Sequence, residues 1–183
     1  MTNLIGGDQD WLDENGELII ATWANVNEDG SISPLLGEGP VHMHNTEATA
    51  WDLVSSHGLG VDHISVPAGA GFPPHTHPGH HLLIIISGRG TMTVNNKVYP
   101  TKAGQVYFVP GEHPHAVGAI DEHHILAVGY RHKKPSDPER MKLVDYASIA
   151  SELGTVECGL CGVTGQLEQL SELGCVHAPT RMK

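Results

Sequence analysis

The chain has 183 residues, with 10 Lys and Arg against 21 Asp and Glu and a formal charge of -11. That balance excludes a surface built to grip nucleic acid or an anionic membrane, both of which need clustered cations, and leaves a small molecule or another protein as the expected partner. The length suits one domain with a single core and leaves room for a small appendage.

The N-terminal stretch MTNLIGGDQDWLDENG has neither a basic leader nor a long apolar run, and the longest aliphatic stretch, LLIIIS, is far too short to cross a bilayer. A cytoplasmic protein is expected. Further along, 22 Gly and 12 Pro break the chain into short segments whose apolar residues alternate as in strands. Strands are expected over residues 17–22, 61–66, 81–86, 91–94, 97–99, 106–109, 115–119 and 125–130, with Asn95 and Asn96 as a two-residue hairpin turn in TMTVNNKVY. Many short strands with frequent turns point to an all-β sandwich or barrel. From Lys133 the stretch KKPSDPER reads as a polar, proline-broken linker. Beyond it, Asp145 is placed to cap a short helix ending at Leu153, and Thr164 a second ending at Leu173, each followed by Gly. The expected organisation is N-terminal strands and an extension over 1–60, a barrel core over 61–132, and a linker with a partly helical tail over 133–183.

Four histidines, His75, His77, His80 and His81, fall within seven residues of HTHPGHH. On an extended strand His75 and His77 point the same way and can share one ion, while Thr76 points away. The surrounding prolines and Gly79 make bends that return His81 near the first two rings. Leu83 and Ile85 then continue the inward face and Leu82, Ile84 and Ile86 the outer one, so the strand is expected to be buried on both faces. A lone HxH is more often a solvated loop than a site. A second cluster, GQVYFVPGEHPHAVGA, ends in His115 on a fresh strand.

At this point the chain resembles the cupin superfamily. Gly69, His75, His77 and Gly88 fall in register with the first cupin motif, and Gly104, Pro110 and His115 with the second. The resemblance covers roughly residues 61–130. It implies a small antiparallel double-sheet (jelly-roll) barrel whose motif residues converge on one metal at the mouth. Three positions depart from the motifs: His81 stands where Glu is usual, Glu112 where the second Gly of PxG is expected, and Ala119 where the terminal Asn is expected. The first departure is similar to the four-histidine variant, implying His75, His77, His81 and His115 as ligands. With neutral ligands the ion keeps its full positive charge and favours an anionic substrate. Imidazoles suit Fe, Zn, Ni and Cu, with Mn less well matched, and the sequence does not choose among them.

Of the remaining histidines, His80 should point away from His81, His113 should be exposed in a turn, and His123 and His124 read as a solvated loop. His63, with Ser65, is a candidate acid or base if it faces the barrel interior; a structural, hydrogen-bonded role is the plainer reading. His42 and His44 form another HxH without a partner cluster. In the tail, Cys158, Cys161, Cys175 and His177 supply four ligands of the types zinc prefers, in two close pairs, against a reading as three unrelated cysteines. An odd cysteine count without a secretory signal argues against a disulfide framework.

Three functions follow from these expectations: a metal-dependent dioxygenase acting on a small anionic organic substrate, a Lewis-acid isomerase, cyclase or lyase, and a non-enzymatic ligand-binding barrel. The first is preferred. The two-sided aliphatic strand at 82–86 suggests a homodimer.

Overall fold

The computed structural model describes residues 20–30, 32–34, 39–94, 97–144, 156–158, 162 and 164–165. Among them there is no helix, and most of the strands lie in two facing sheets. One sheet has six strands in the order β10 (Val106–Val109), β7 (His81–Ser87), β12 (His123–Tyr130), β5 (Leu59–Val66), β4 (Thr49–Ser56) and β3 (Val41–His42). The other has seven: β13 (Lys142–Leu143), β6 (Gly71–Thr76), β11 (His115–Ala119), β8 (Arg89–Val94), β9 (Lys97–Lys102), β14 (Val156–Cys158) and β15 (Thr164–Gly165). A separate ribbon pairs β1 (Ala24–Val26) with β2 (Ile32–Pro34). Pairing is antiparallel except between β9 and β14. This is the double-sheet jelly roll expected from the sequence.

Alternation along each strand builds the core. Ile64, Leu83, Ile85, Ile125 and Ala127 come from one sheet, and Phe72, Met92, Val117 and Ala119 from the other. Opposite faces of the same strands behave differently. On β7, Leu83 and Ile85 are buried while Leu82 is 42% exposed, so burial on both faces is corrected to burial on one. The outer face is apolar but uncovered.

Several elements differ from expectation for local reasons. Residues 20–22 of the expected first strand are not in a strand, and 17–19 lie outside the described residues. β4 escaped notice because a register shift between Asp52 and Val54 breaks its alternation. The extended segment expected at His75 belongs to β6, which starts at Gly71 and carries Pro73 and Pro74, residues that cannot donate to a ladder. β8 and β9 pair with Val94 opposite Lys97, and the expected turn residues 95 and 96 lie outside the described residues. In the tail, Thr164 sits in a strand opposite Glu157 rather than at a helix start, and the expected helix over 145–153 lies outside the described residues. The stretch 133–140 does not behave as a solvated linker: Pro135 and Arg140 are buried.

Candidate metal centre

His75, near the end of β6, stands directly opposite His115, the first residue of β11, in the cross-strand register. His77 follows two residues beyond His75, and its backbone N–H donates to the carbonyl of Gly111 at 2.9 Å. That contact requires close approach of two turns. A side chain at Gly111 would come within 1.7 Å of the Gly79 carbonyl oxygen and 2.5 Å of His77 Nδ1. Gly79 itself adopts φ +77°, the left-handed region open to glycine, with the Tyr130 carbonyl where a Cβ would stand. The turn glycine that matters here is thus Gly111, one residue ahead of the Glu112 that departs from the family motif.

His75, His77 and His115 bring one ring nitrogen each to within 4.8 Å of one another, and all three are buried. Each ring is oriented by its own backbone. Nδ1 of His75 donates to the Pro73 carbonyl at 2.7 Å, Nδ1 of His77 to the Gly79 carbonyl at 3.2 Å, and Nδ1 of His115 to the His113 carbonyl at 2.8 Å. A carbonyl only accepts, so Nδ1 carries the proton and Nε2 keeps its lone pair. Burial, followed by the neighbouring His115, pushes the His75 pKa down to about 3 and that of His77 to about 4; burial also lowers His115. All three rings are therefore neutral at pH 7. Three buried, backbone-oriented imidazoles with free lone pairs fit a divalent transition metal.

His81 opens β7 and lines the same cavity, while His80 is exposed and accepts a long hydrogen bond from the Gly111 N–H at 3.4 Å. The His81 ring stacks on His77 rather than joining the trio, with centroids 4.0 Å apart and 16° between planes. Its pKa is lowered, first by burial and then by His77.

The cavity bounded by these rings measures about 40 Å³, and Arg140 and Met141 also line it. Phe72 and Val117 from one sheet and Ile64, Leu83 and Ile125 from the other complete its apolar wall. Arg140 is held from behind. Its Nη2 meets Asp62 Oδ2 at 2.5 Å, its Nη1 donates to the Lys133 carbonyl, and His132 Nε2 reaches the same Asp62 oxygen at 2.6 Å. Asp62 is fully buried and Arg140 nearly so, which makes this a buried ion pair within the barrel. Sequence reasoning missed all three residues. Arg140 sits in a stretch rich in charge and proline, and Asp62 and His132 lie 70 positions apart with no spacing to connect them.

His63 does not line the cavity. Ile64 does, so strand alternation turns His63 to the opposite face of β5, where its Nε2 lies 3.2 Å from His124 Nδ1 and its ring 5.3 Å from Trp51. His123 and His124, expected in a solvated loop, are buried on β12. His123 bonds to Thr101 at 3.1 Å and to the Ser87 carbonyl at 3.0 Å. The polar residues before them form the turn, and pairing with β5 and β7 begins at the histidines themselves. His113, His42 and His44 are exposed. Cys158 is buried on β14, and the Gly162 N–H donates to its carbonyl at 2.9 Å. Cys161, Cys175 and His177 lie outside the described residues.

No described helix is long and apolar enough to cross a membrane. A comparison with curated proteins gives no significant match. Among solved structures, a conserved protein of unknown function from Streptococcus pyogenes is 25% identical, covering 62% of this chain and 97% of that one, with a TM-score of 0.46. KdgF from Halomonas sp. is 11% identical over 52% of this chain and 90% of its own, with a TM-score of 0.49. A predicted oxalate decarboxylase from Thermotoga maritima is 21% identical over 50% and 90%, with a TM-score of 0.46. Residues 62–128, which run from β5 through most of β12 and enclose the histidine cluster, match the family model of the cupin domain.

Proposed function

We propose that this chain is a metal-dependent cupin enzyme acting on a small organic anion, with dioxygenase chemistry as its reaction class. The convergence of His75, His77 and His115 carries the reading. These three hold the ion and, through their Nδ1–carbonyl bonds, keep their rings aimed at one point. His81 is the fourth ligand once its ring turns out of the stack on His77. A bound divalent ion supplies Lewis acidity and, where redox-active, the electrons that dioxygen chemistry needs.

Two features support an anionic substrate. Neutral imidazoles leave the ion its full charge, and the Arg140 guanidinium, ion-paired with Asp62, adds hydrogen-bond donors at the cavity wall. The other walls are apolar and exclude water. Among the described residues no carboxylate lines the cavity to shuttle a proton, which favours oxygen chemistry over the Lewis-acid isomerase, cyclase or lyase alternative. The outer face of the six-stranded sheet supports a homodimer: Leu82, Val106, Phe108 and Tyr130 are exposed there side by side.

The test begins with metal analysis. Purified protein should carry about one transition ion per barrel, lost in the His75→Ala, His77→Ala double variant with the fold retained. Oxygen uptake in a panel of small carboxylates and enolates should follow metal loading. Turnover that continues without oxygen would transfer the assignment to the Lewis-acid class, and full metal retention in the double variant would remove the site.

A further inference from the structure

The cavity at the histidines is too small for an organic substrate. About 40 Å³ accommodates an ion's open positions and roughly three water-sized atoms. Beside it lies an open groove of about 640 Å³, within the range of small-molecule sites. The two share His77 and Met141, and Met141 is 8% exposed. Pro78 and Pro138 give the groove apolar walls, and Lys133, Lys142, Glu112 and Glu139 give it a polar rim. Lys133 is already engaged by Glu139 at 2.5 Å, which leaves Lys142, on the exposed edge strand β13, as the rim's other cation.

From this arrangement we infer that the substrate is a monocarboxylate divided between the two spaces, and that Met141 sets how large a body can follow the head inside. The carboxylate, three heavy atoms, enters the cavity between the histidine cluster and Arg140. The body crosses Met141 and lies between Pro78 and Pro138, and its polar far end reaches Lys142. This rests on the proposed metal reading and deepens it: it names the substrate's shape and the residue that discriminates size. Arg140 and Met141 are consecutive, so one backbone segment, tied down by the Asp62 pair, presents both the anion anchor and the throat residue.

The protein loaded with Co²⁺ provides a readout independent of turnover, since the visible spectrum of the ion reports ligands entering its coordination sphere. Formate tests the cavity alone, and 4-hydroxybenzoate tests cavity and groove together. Both should shift the spectrum of the unmodified protein. Met141→Trp, which fills the throat, should weaken 4-hydroxybenzoate by at least about tenfold while formate changes by less than about twofold. Lys142→Glu, at an exposed position that does not threaten folding, should weaken 4-hydroxybenzoate by about fivefold and spare formate. Equal effects on both anions, or none in either variant, would overturn the inference while the Co²⁺ spectrum stands. Absence of any protein-bound Co²⁺ spectrum would instead overturn the metal reading and the inference with it.

Discussion

His77 and His81 are stacked face to face, their ring centroids 4.0 Å apart and their planes 16° from parallel. An imidazole ligand binds a metal in the plane of its ring, along the lone pair, so two nearly parallel rings cannot address one ion without one of them turning. His75 and His115 lie at 61° to each other, and His77 and His115 at 75°, which suits convergence. The cluster is thus a preorganised trio with a fourth ring in reserve.

Ligand substitutions should separate the two classes. His75→Ala, His77→Ala or His115→Ala should each abolish stoichiometric metal binding, whereas His81→Ala should lower affinity by about 10- to 100-fold, as loss of a supporting partner does. His81→Glu should retain metal, because a carboxylate reaches the ion without having to leave a ring stack. Competition against a chromophoric chelator measures all five. A loss in His81→Ala equal to that in His115→Ala would show that the fourth ring is already a full ligand.

The metal-free protein should be acid-labile in a defined window. His75 and His77 sit at about 3 and 4 in the folded state, and His63, lowered first by burial and then by His124, at about 4, against an ordinary value of 6.5. Between those values the unfolded chain takes up protons that the folded chain refuses. Stability is therefore complete above pH 6.5 and falls as the pH drops towards 4, by up to roughly 1.4 kcal/mol per pH unit for each histidine. Urea midpoints at pH 7, 6 and 5 check this. A midpoint that does not move would mean the rings are solvated in the metal-free state.

Breaking the Asp62–Arg140 pair should cost about 3–5 kcal/mol, because Asp62→Ala leaves a buried guanidinium without its counter-charge. Asp62→Leu combined with Arg140→Met should recover much of that stability, since an apolar pair of similar volume needs no solvation, but should lose anion binding at the cavity. Chemical denaturation and a Co²⁺ spectral titration with formate read the two effects. A small cost for Asp62→Ala would indicate that water reaches the pair.

Dimerisation should respond to the outer sheet face. Phe108 and Tyr130 are each 63% exposed and Val106 58%, an apolar surface unusual for a monomer. Light scattering should give twice the chain mass for the unmodified protein and a single mass for the Val106→Lys, Phe108→Glu double variant, with unchanged circular dichroism. An unmodified protein that stays monomeric at micromolar concentration would remove the proposal.

Much of this protein was legible from local pattern. Alternation on either side of Asn95 and Asn96 in TMTVNNKVY and the short aliphatic run in HLLIIIS placed strands, and the spacing of His75 and His77 put both on one face of an extended segment with no tertiary information, because side chains on extended backbone must alternate. The approach of His115 to that pair was legible only through motif resemblance, since cross-strand register between residues 40 positions apart depends on how the whole sheet closes. Burial of charge was not legible at all. Asp62, His132 and Arg140 meet because β5, the end of β12 and the 133–141 return converge behind the cavity, and no property of KKPSDPER distinguishes an arginine that will pair inside a barrel from one that will face water. The same limit applied to His63 and His124. Sequence supplied their chemistry, and the choice of sheet face, set by which neighbours Ile64 and Ile125 find in the core, decided that those two histidines meet each other and not the metal cavity.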